Sequence, residues 1–258
     1  MRINKAAVTG FILCFAALIF GIATNGGIQT IVNFLHIPSF IMTVCGSLFA
    51  VLITADSFED FTNGLKGFSY ALKKNTIDRD KIVAAVYELA DLARKEGLLI
   101  LEERTAQLPD ELLAKGIGLL VDGTDSELIH DILETDMTHK YDKEKKQVHF
   151  WQDFGAYAPA WGMIGTLIGL INMMKSMGTD SSAIGSGMSL ALITTLYGSV
   201  IANWVCIPIS RKLEKKSEEE YITREIIIEG VLSIQAGENP RIIKEKIKAI
   251  IDSKEETE

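Results

Sequence analysis

Charge is missing from three long stretches of this chain, and the gaps say more than the averages do. No Asp, Glu, Lys or Arg occurs between Lys5 and Asp56, none at residues 154–174 and none at residues 181–210. A helix rises about 1.5 Å per residue, so roughly 20 such residues reach the ~30 Å of a bilayer's hydrocarbon core. The averages, 48% hydrophobic with net charge −8, would suit a soluble protein. The segregation excludes that reading, because nearly every charge lies in residues 56–153 and 211–258. Cysteine is scarce too: Cys14, Cys45 and Cys206 all sit inside apolar runs, where they behave as small hydrophobes, so neither disulfides nor a metal site is expected. The acidic balance lacks the basic face that nucleic acid requires. His130, His139 and His149 lack the one-face spacing of a metal site, and no Gly-rich loop follows a strand. No catalytic constellation survives, so the chain reads as a non-enzyme without cofactor.

What is present is an all-α membrane protein with four spans. Apolar runs at residues 8–24 and 31–54 form a first hairpin (residues 1–55), turning at Asn25, Gly26 and Gly27, with Pro38 and Gly46 expected to interrupt its second helix. Arg2 and Lys5 before the first run superficially resemble a signal peptide, but the run is long for one and no small-x-small cleavage site follows. His36, near a span end, reads as interfacial. Residues 56–153 form a helical insert in water. There Ile82, Val83, Val86, Leu89, Ala90 and Ala93 recur at three- and four-residue steps, and Ser126 is an N-cap for a helix running straight into the third span.

The third and fourth spans, residues 154–174 and about 184–209, make a second hairpin (residues 154–210) around a turn at Lys175, Gly178 and Asp180. At 100° per residue, Gly155, Pro159, Gly162, Thr166 and Gly169 fall within about 80° of arc. Gly187, Ala191, Thr194, Thr195, Gly198 and Ala202 fall within about 100° on the fourth span. Two small-and-hydroxyl faces joined by a short turn should pack together or jointly line a narrow polar path. Residues 211–258 return to water as a charged helix ending at Gly237. Asn239 and Pro240 then open a final helix over residues 241–252, before a frayed tail.

Lys and Arg place both termini and the insert in the cytoplasm, because neither hairpin turn carries more than one of them. A second absence matters here: the four spans contain no Asp or Glu. A cation-driven machine needs a titratable group in the bilayer, so either the chain moves no ions or a partner supplies the carboxylate.

The third-span sequence AYAPAWGMIGTLIGLI resembles the MotA/PomA family of bacterial flagellar motor stators, within the MotA/TolQ/ExbB superfamily. So do ALITTLYGSVIAN with the following CIPIS, the insert's RKEGLLILEE, and AGENPRIIKEKI near the end. The likeness covers essentially the whole chain in order. It implies a pentamer around two copies of a MotB-type partner, a single-span subunit with a peptidoglycan-binding domain and the membrane aspartate. It implies cation flow, H⁺ or Na⁺, that turns the ring in the cell membrane and drives the rotor protein FliG. Matched residue by residue, Pro159 and Pro208 are the prolines flanking the ion path, Thr166 and Thr194 its hydroxyls with Thr195 adjacent, and Arg94 and Glu102 the rotor-engaging charges with Lys95 beside them.

Two hydroxyls beside a partner carboxylate suit desolvated sodium, and in the family a hydroxyl at the Thr166 position resembles sodium-driven members; threonines equally order water for protons. An ExbB/TolQ-like motor is the alternative, against which the fourth span counts. A small-solute carrier would want broken helices meeting at a midplane site, for which Pro38 and Pro159 are the only support.

Overall fold

The computed structural model describes residues 4–74, 78–177 and 181–255, and no strand occurs among them. In chain order the helices are α1 (Lys5–Gly26), α2 (Ile37–Phe40), α3 (Gly46–Thr54), α4 (Phe58–Leu72), α5 (Arg79–Glu96), α6 (Glu102–Thr105), α7 (Glu111–Val121), α8 (Ser126–Ser176), α9 (Ser181–Val200), α10 (Ile207–Gln235) and α11 (Pro240–Glu255). A π-helical turn, Ile41–Cys45, fuses α2 to α3, and another, Ile201–Cys206, fuses α9 to α10. Among the described residues, four helices are long and apolar enough to cross a membrane: Lys5–Thr24, Ile37–Thr54, Ser126–Ser176 and Ile184–Gln235. This is the all-α, four-span class that the charge-free runs predict.

The second span begins later than its apolar run. Ile28–Phe34 is a 3₁₀ stretch, and the helix opens only at Ile37, where His36 Nδ1 accepts the Ser39 N–H at 3.3 Å. Pro38 thus starts the helix, in the first turn where a missing N–H costs nothing, and does not interrupt it. Gly46 is no break either. A Cβ there would come within 2.4 Å of the Trp161 ring, so the glycine is what lets that indole close on the helix.

The chain divides into two compact units, Met1–Lys74 with Lys145–Glu214, and Asn75–Glu144 with Lys215–Glu258. The division falls at Lys74 and Glu144, inside the expected aqueous insert, because α4 packs with the spans. Gly64 and Gly67 of α4 admit Phe150 and Trp151, whose rings lie 2.4 Å and 2.9 Å from where a Cβ would stand. The Trp151 indole N–H donates to Gly64 O at 3.0 Å, which satisfies a buried donor and acceptor together. Phe154, Cys206, Ile209 and Leu213 complete this core.

The second unit is built on Ile82, Val86 and Leu89 of α5, Leu113 and Ile117 of α7, Leu133 of α8, Ile227 and Val231 of α10, and Ile243 and Ile247 of α11. Its caps follow side-chain chemistry. The α8 cap is Asp125, one residue before Ser126, with its carboxylate accepting the Glu127 N–H at 3.0 Å. Gly237 closes α10 at φ 67°, with the Glu238 N–H donating to Ser233 O at 3.1 Å. Asn239 then caps α11, accepting the Arg241 N–H at 3.0 Å, and α11 continues to Glu255. The turn read at Gly178 and Asp180 and the last three residues, 256–258, lie outside the described residues.

Candidate functional site

The α8–α9 crossing is made by absent side chains. A Cβ on Gly162 would stand 2.8 Å from Thr194 O, one on Gly169 2.6 Å from Gly187 O, and one on Gly198 2.5 Å from Ala158 O and 3.0 Å from Pro159 Cα. These neighbours are backbone atoms, which cannot swing aside. The glycine stripes legible in the sequence therefore bring the two backbones into direct contact, as small residues do between spanning helices.

The threonines divide at this crossing. Thr194 is fully buried, with its side chain against Gly165, and its hydroxyl donates back to Leu190 O at 2.9 Å or Ala191 O at 3.0 Å. Thr195 is exposed and Thr166 half-buried, and their hydroxyl oxygens stand 2.5 Å apart. The Thr166 oxygen also lies 2.9 Å from Ala191 O and 3.0 Å from Gly162 O, and the Thr195 oxygen lies 3.3 Å from Ala191 O. Two hydroxyls and two carbonyls thus converge without any charge. Ala191 O has three hydroxyls in reach and only two lone pairs, so they compete for one acceptor and a hydroxyl proton is left to turn elsewhere.

Pro159 sits in this crossing opposite Gly198, but Pro208 does not; it is exposed on α10 and lines a groove beside α1. Sequence reasoning passed over a buried hydroxyl row on the second span. Ser39, Thr43 and Ser47 are completely buried, and the Thr43 hydroxyl reaches Thr194 O at 3.5 Å. The signal was there: polar residues four apart in an apolar run share one helical face. Tyr197 was missed as well. Its hydroxyl donates to Phe34 O and accepts the His36 N–H at 3.1 Å, pinning the start of α2.

Arg94, Lys95 and Glu102 are all exposed. They do not share one helix, because Gly97 ends α5 at φ 91°, and a 3₁₀ turn, Leu98–Leu101, precedes Glu102 at the start of α6. The common side that a continuous helix would give Arg94 and Glu102 is thus replaced by a turn whose Leu101 is buried. Lys95 pairs with Asp91 at 2.6 Å along its own helix. His130 lies 3.7 Å from Asp131 and 3.5 Å from Glu134 on a solvent-facing surface.

A profile of the MotA/TolQ/ExbB proton channel family matches residues 104–226. Motility protein A of Treponema phagedenis is 35% identical over 256 residues, covering 99% of this chain and 96% of that protein. The chain belongs to the MotA/PomA family of flagellar motor stator subunits. The chemotaxis protein PomA of Vibrio alginolyticus is 37% identical over 247 residues, covering 95% of this chain and 94% of its own length. The fold agrees with a solved member, the flagellar MotAB stator complex of Bacillus subtilis, with TM-score 0.83 at 30% identity over 95% of this chain and 94% of that one. Like other members of the MotA/PomA family, this is a multi-pass inner-membrane protein, and family membership fits the absence of charge from its spans.

Proposed function

We propose that this MotA/PomA family chain surrounds a MotB-type single-span partner, five copies to two, and passes cations along the Thr166–Thr195 side of the α8–α9 crossing. The observation that carries the proposal is the cluster of Thr166 and Thr195 hydroxyls with Ala191 O and Gly162 O, all within 3.3 Å of a neighbouring member. Neutral oxygens replace part of a cation's hydration shell, and the charge that completes the site is the partner's carboxylate. Thr194 acts from behind, holding α9 against Gly165, while Pro159 keeps the backbone close to Gly198. Pro208 belongs to the same fourth span further along. Both termini and the charged unit lie on the cytoplasmic side, where Arg94, Lys95 and Glu102 engage the rotor protein FliG from either side of the Gly97 turn. Each ion crossing yields about 2.3 kcal/mol per 100 mV, so several must be coupled to each useful rotation step.

An oxygen-only site favours sodium over a bare proton relay. Replacing Thr166 by Ala removes the oxygen that touches all the others. Sodium-dependent swimming should then weaken about tenfold or more in ion affinity, while the amount of assembled complex stays constant. Cells that swim equally well without sodium, and stop when the proton gradient alone is collapsed, would assign the path to protons instead.

A further inference from the structure

Beside α1 lies a groove of about 590 Å³, lined in part by Pro208, the ion-path proline that lies away from the α8–α9 crossing. One wall is α1 from Ala6 to Leu18, and the other runs from Ser199 to Lys212 on α9 and α10. The walls are antiparallel. Asn4 N–H donates to Leu72 O at 2.9 Å, and Gly67 of the same α4 helix faces Leu213 at 3.2 Å, so the start of α1 and Lys212 share one end. Phe11, Leu18, Val200 and Pro208 make most of the lining apolar.

Its length, its apolar lining and the lysine at one end point to one kind of occupant. From Ala6 to Leu18, α1 rises about 18 Å, close to the ~15 Å of one leaflet's hydrocarbon. The groove is open along that length and is wide enough for a hydrocarbon chain. The cationic end has no internal partner: Lys212 makes no ion pair among the described residues. Further in, the Trp204 ring lines the groove, stacked on Phe15 at 5.7 Å.

From this geometry we infer that the groove binds one anionic phospholipid, its phosphate at Lys212 and one acyl chain along α1. Basic pockets between spanning helices select such headgroups. The inference rests on the chain crossing a membrane, and it holds whether the ion is H⁺ or Na⁺.

The test uses the intact complex purified with its partner and exchanged into phosphatidylglycerol or phosphatidylcholine, with retained lipid counted by native mass spectrometry. Phosphatidylglycerol should be retained in preference. Lys212→Gln should reduce that preference about fivefold, the effect of one surface cation. Gly10 borders the groove with no atom within 4 Å of a Cβ, so Gly10→Phe should fill it and expel the lipid from a folded complex. Lys212→Gln decides alone if Gly10→Phe does not fold. Equal retention of the two lipids, or a phosphatidylglycerol preference that Lys212→Gln leaves intact, overturns the inference. So does oxidative cross-linking through the exposed Cys14 of two copies, which would mean that a second copy covers the groove.

Discussion

Glu144 on α8 faces Glu220 on α10 inside the charged unit, and the two side chains share a hydrogen bond. Glu220 is 3% exposed and has Lys140 Nζ 3.2 Å away. Burial, and then the neighbouring Glu220 charge, push the Glu144 carboxyl up to about 7, against the Ser217 hydroxyl and Lys140, which pull it down. An acid whose folded pKa exceeds its unfolded one holds its proton more tightly when folded. Its contribution to stability is complete below the unfolded value of 4.5 and is lost as pH rises through about 7. The apparent unfolding midpoint of the purified complex should therefore fall between about pH 5 and pH 8 relative to that of Glu144→Gln, which carries no titrating group there. A constant gap between the two proteins across that range would mean that Glu144 ionises like an ordinary surface carboxylate.

At the scale of the helix pair, the same glycines that usually weaken a helix hold this one together. Gly→Ala in a helix interior normally stabilises by up to about 1 kcal/mol. At Gly169 and Gly198 the new methyl would stand 2.6 Å and 2.5 Å from carbonyl oxygens of the facing helix. Overpacking against backbone costs about 1–3 kcal/mol, so the sign reverses there. Gly169→Ala and Gly198→Ala should each lower the thermal midpoint of the complex. Gly185→Ala, with nothing within 4 Å, should leave it unchanged or raise it. Equal effects at all three positions would mean that the crossing is looser than these distances. This crossing was legible in the sequence because a 100° step places the glycines on one face without any knowledge of the partner helix. Which threonine is buried was not legible. Thr194 and Thr195 are adjacent, and only the contact with Gly165 sends one inward and leaves the other beside Thr166. The break at Gly97 lay beyond pattern reading for a different reason, since glycine is tolerated within helices and only its positive φ ends this one. The α4 packing escaped because Glu59, Asp60 and Lys66 give α4 a water-soluble composition, while its glycine face accepts the Phe150 and Trp151 rings.

At the scale of the whole molecule, the ion path proposed above would require a carboxylate that the charge-free stretches of the spans do not hold. Residues 6–55, 154–174 and 181–210 offer hydroxyls, carbonyls and small residues but no carboxylate, and neutral oxygens without a counter-charge do not fully offset the desolvation of a cation. On that proposal a single chain would be incomplete as an ion path in composition as well as in number. Its apolar surface supports the same conclusion. Met163, Leu167, Ile171 and Met174 of α8 and Leu192 of α9 are exposed beside the crossing, on the helices that carry Thr166 and Thr195. Lipid tails could cover such a face, but a polar pair left among them would gain nothing. A ring of copies around an acidic axle both covers the face and supplies the charge. Co-expression with a MotB-type partner should give a detergent-stable particle whose mass corresponds to five copies of this chain and two of the partner. Expression of this chain alone should give membranes with no cation flux above background. Replacing the partner's membrane carboxylate by its amide should leave the mass unchanged and abolish the flux. If the chain conducts by itself, or if the amide partner still conducts, the missing charge is supplied from within this chain and the division of labour proposed for the two subunits fails.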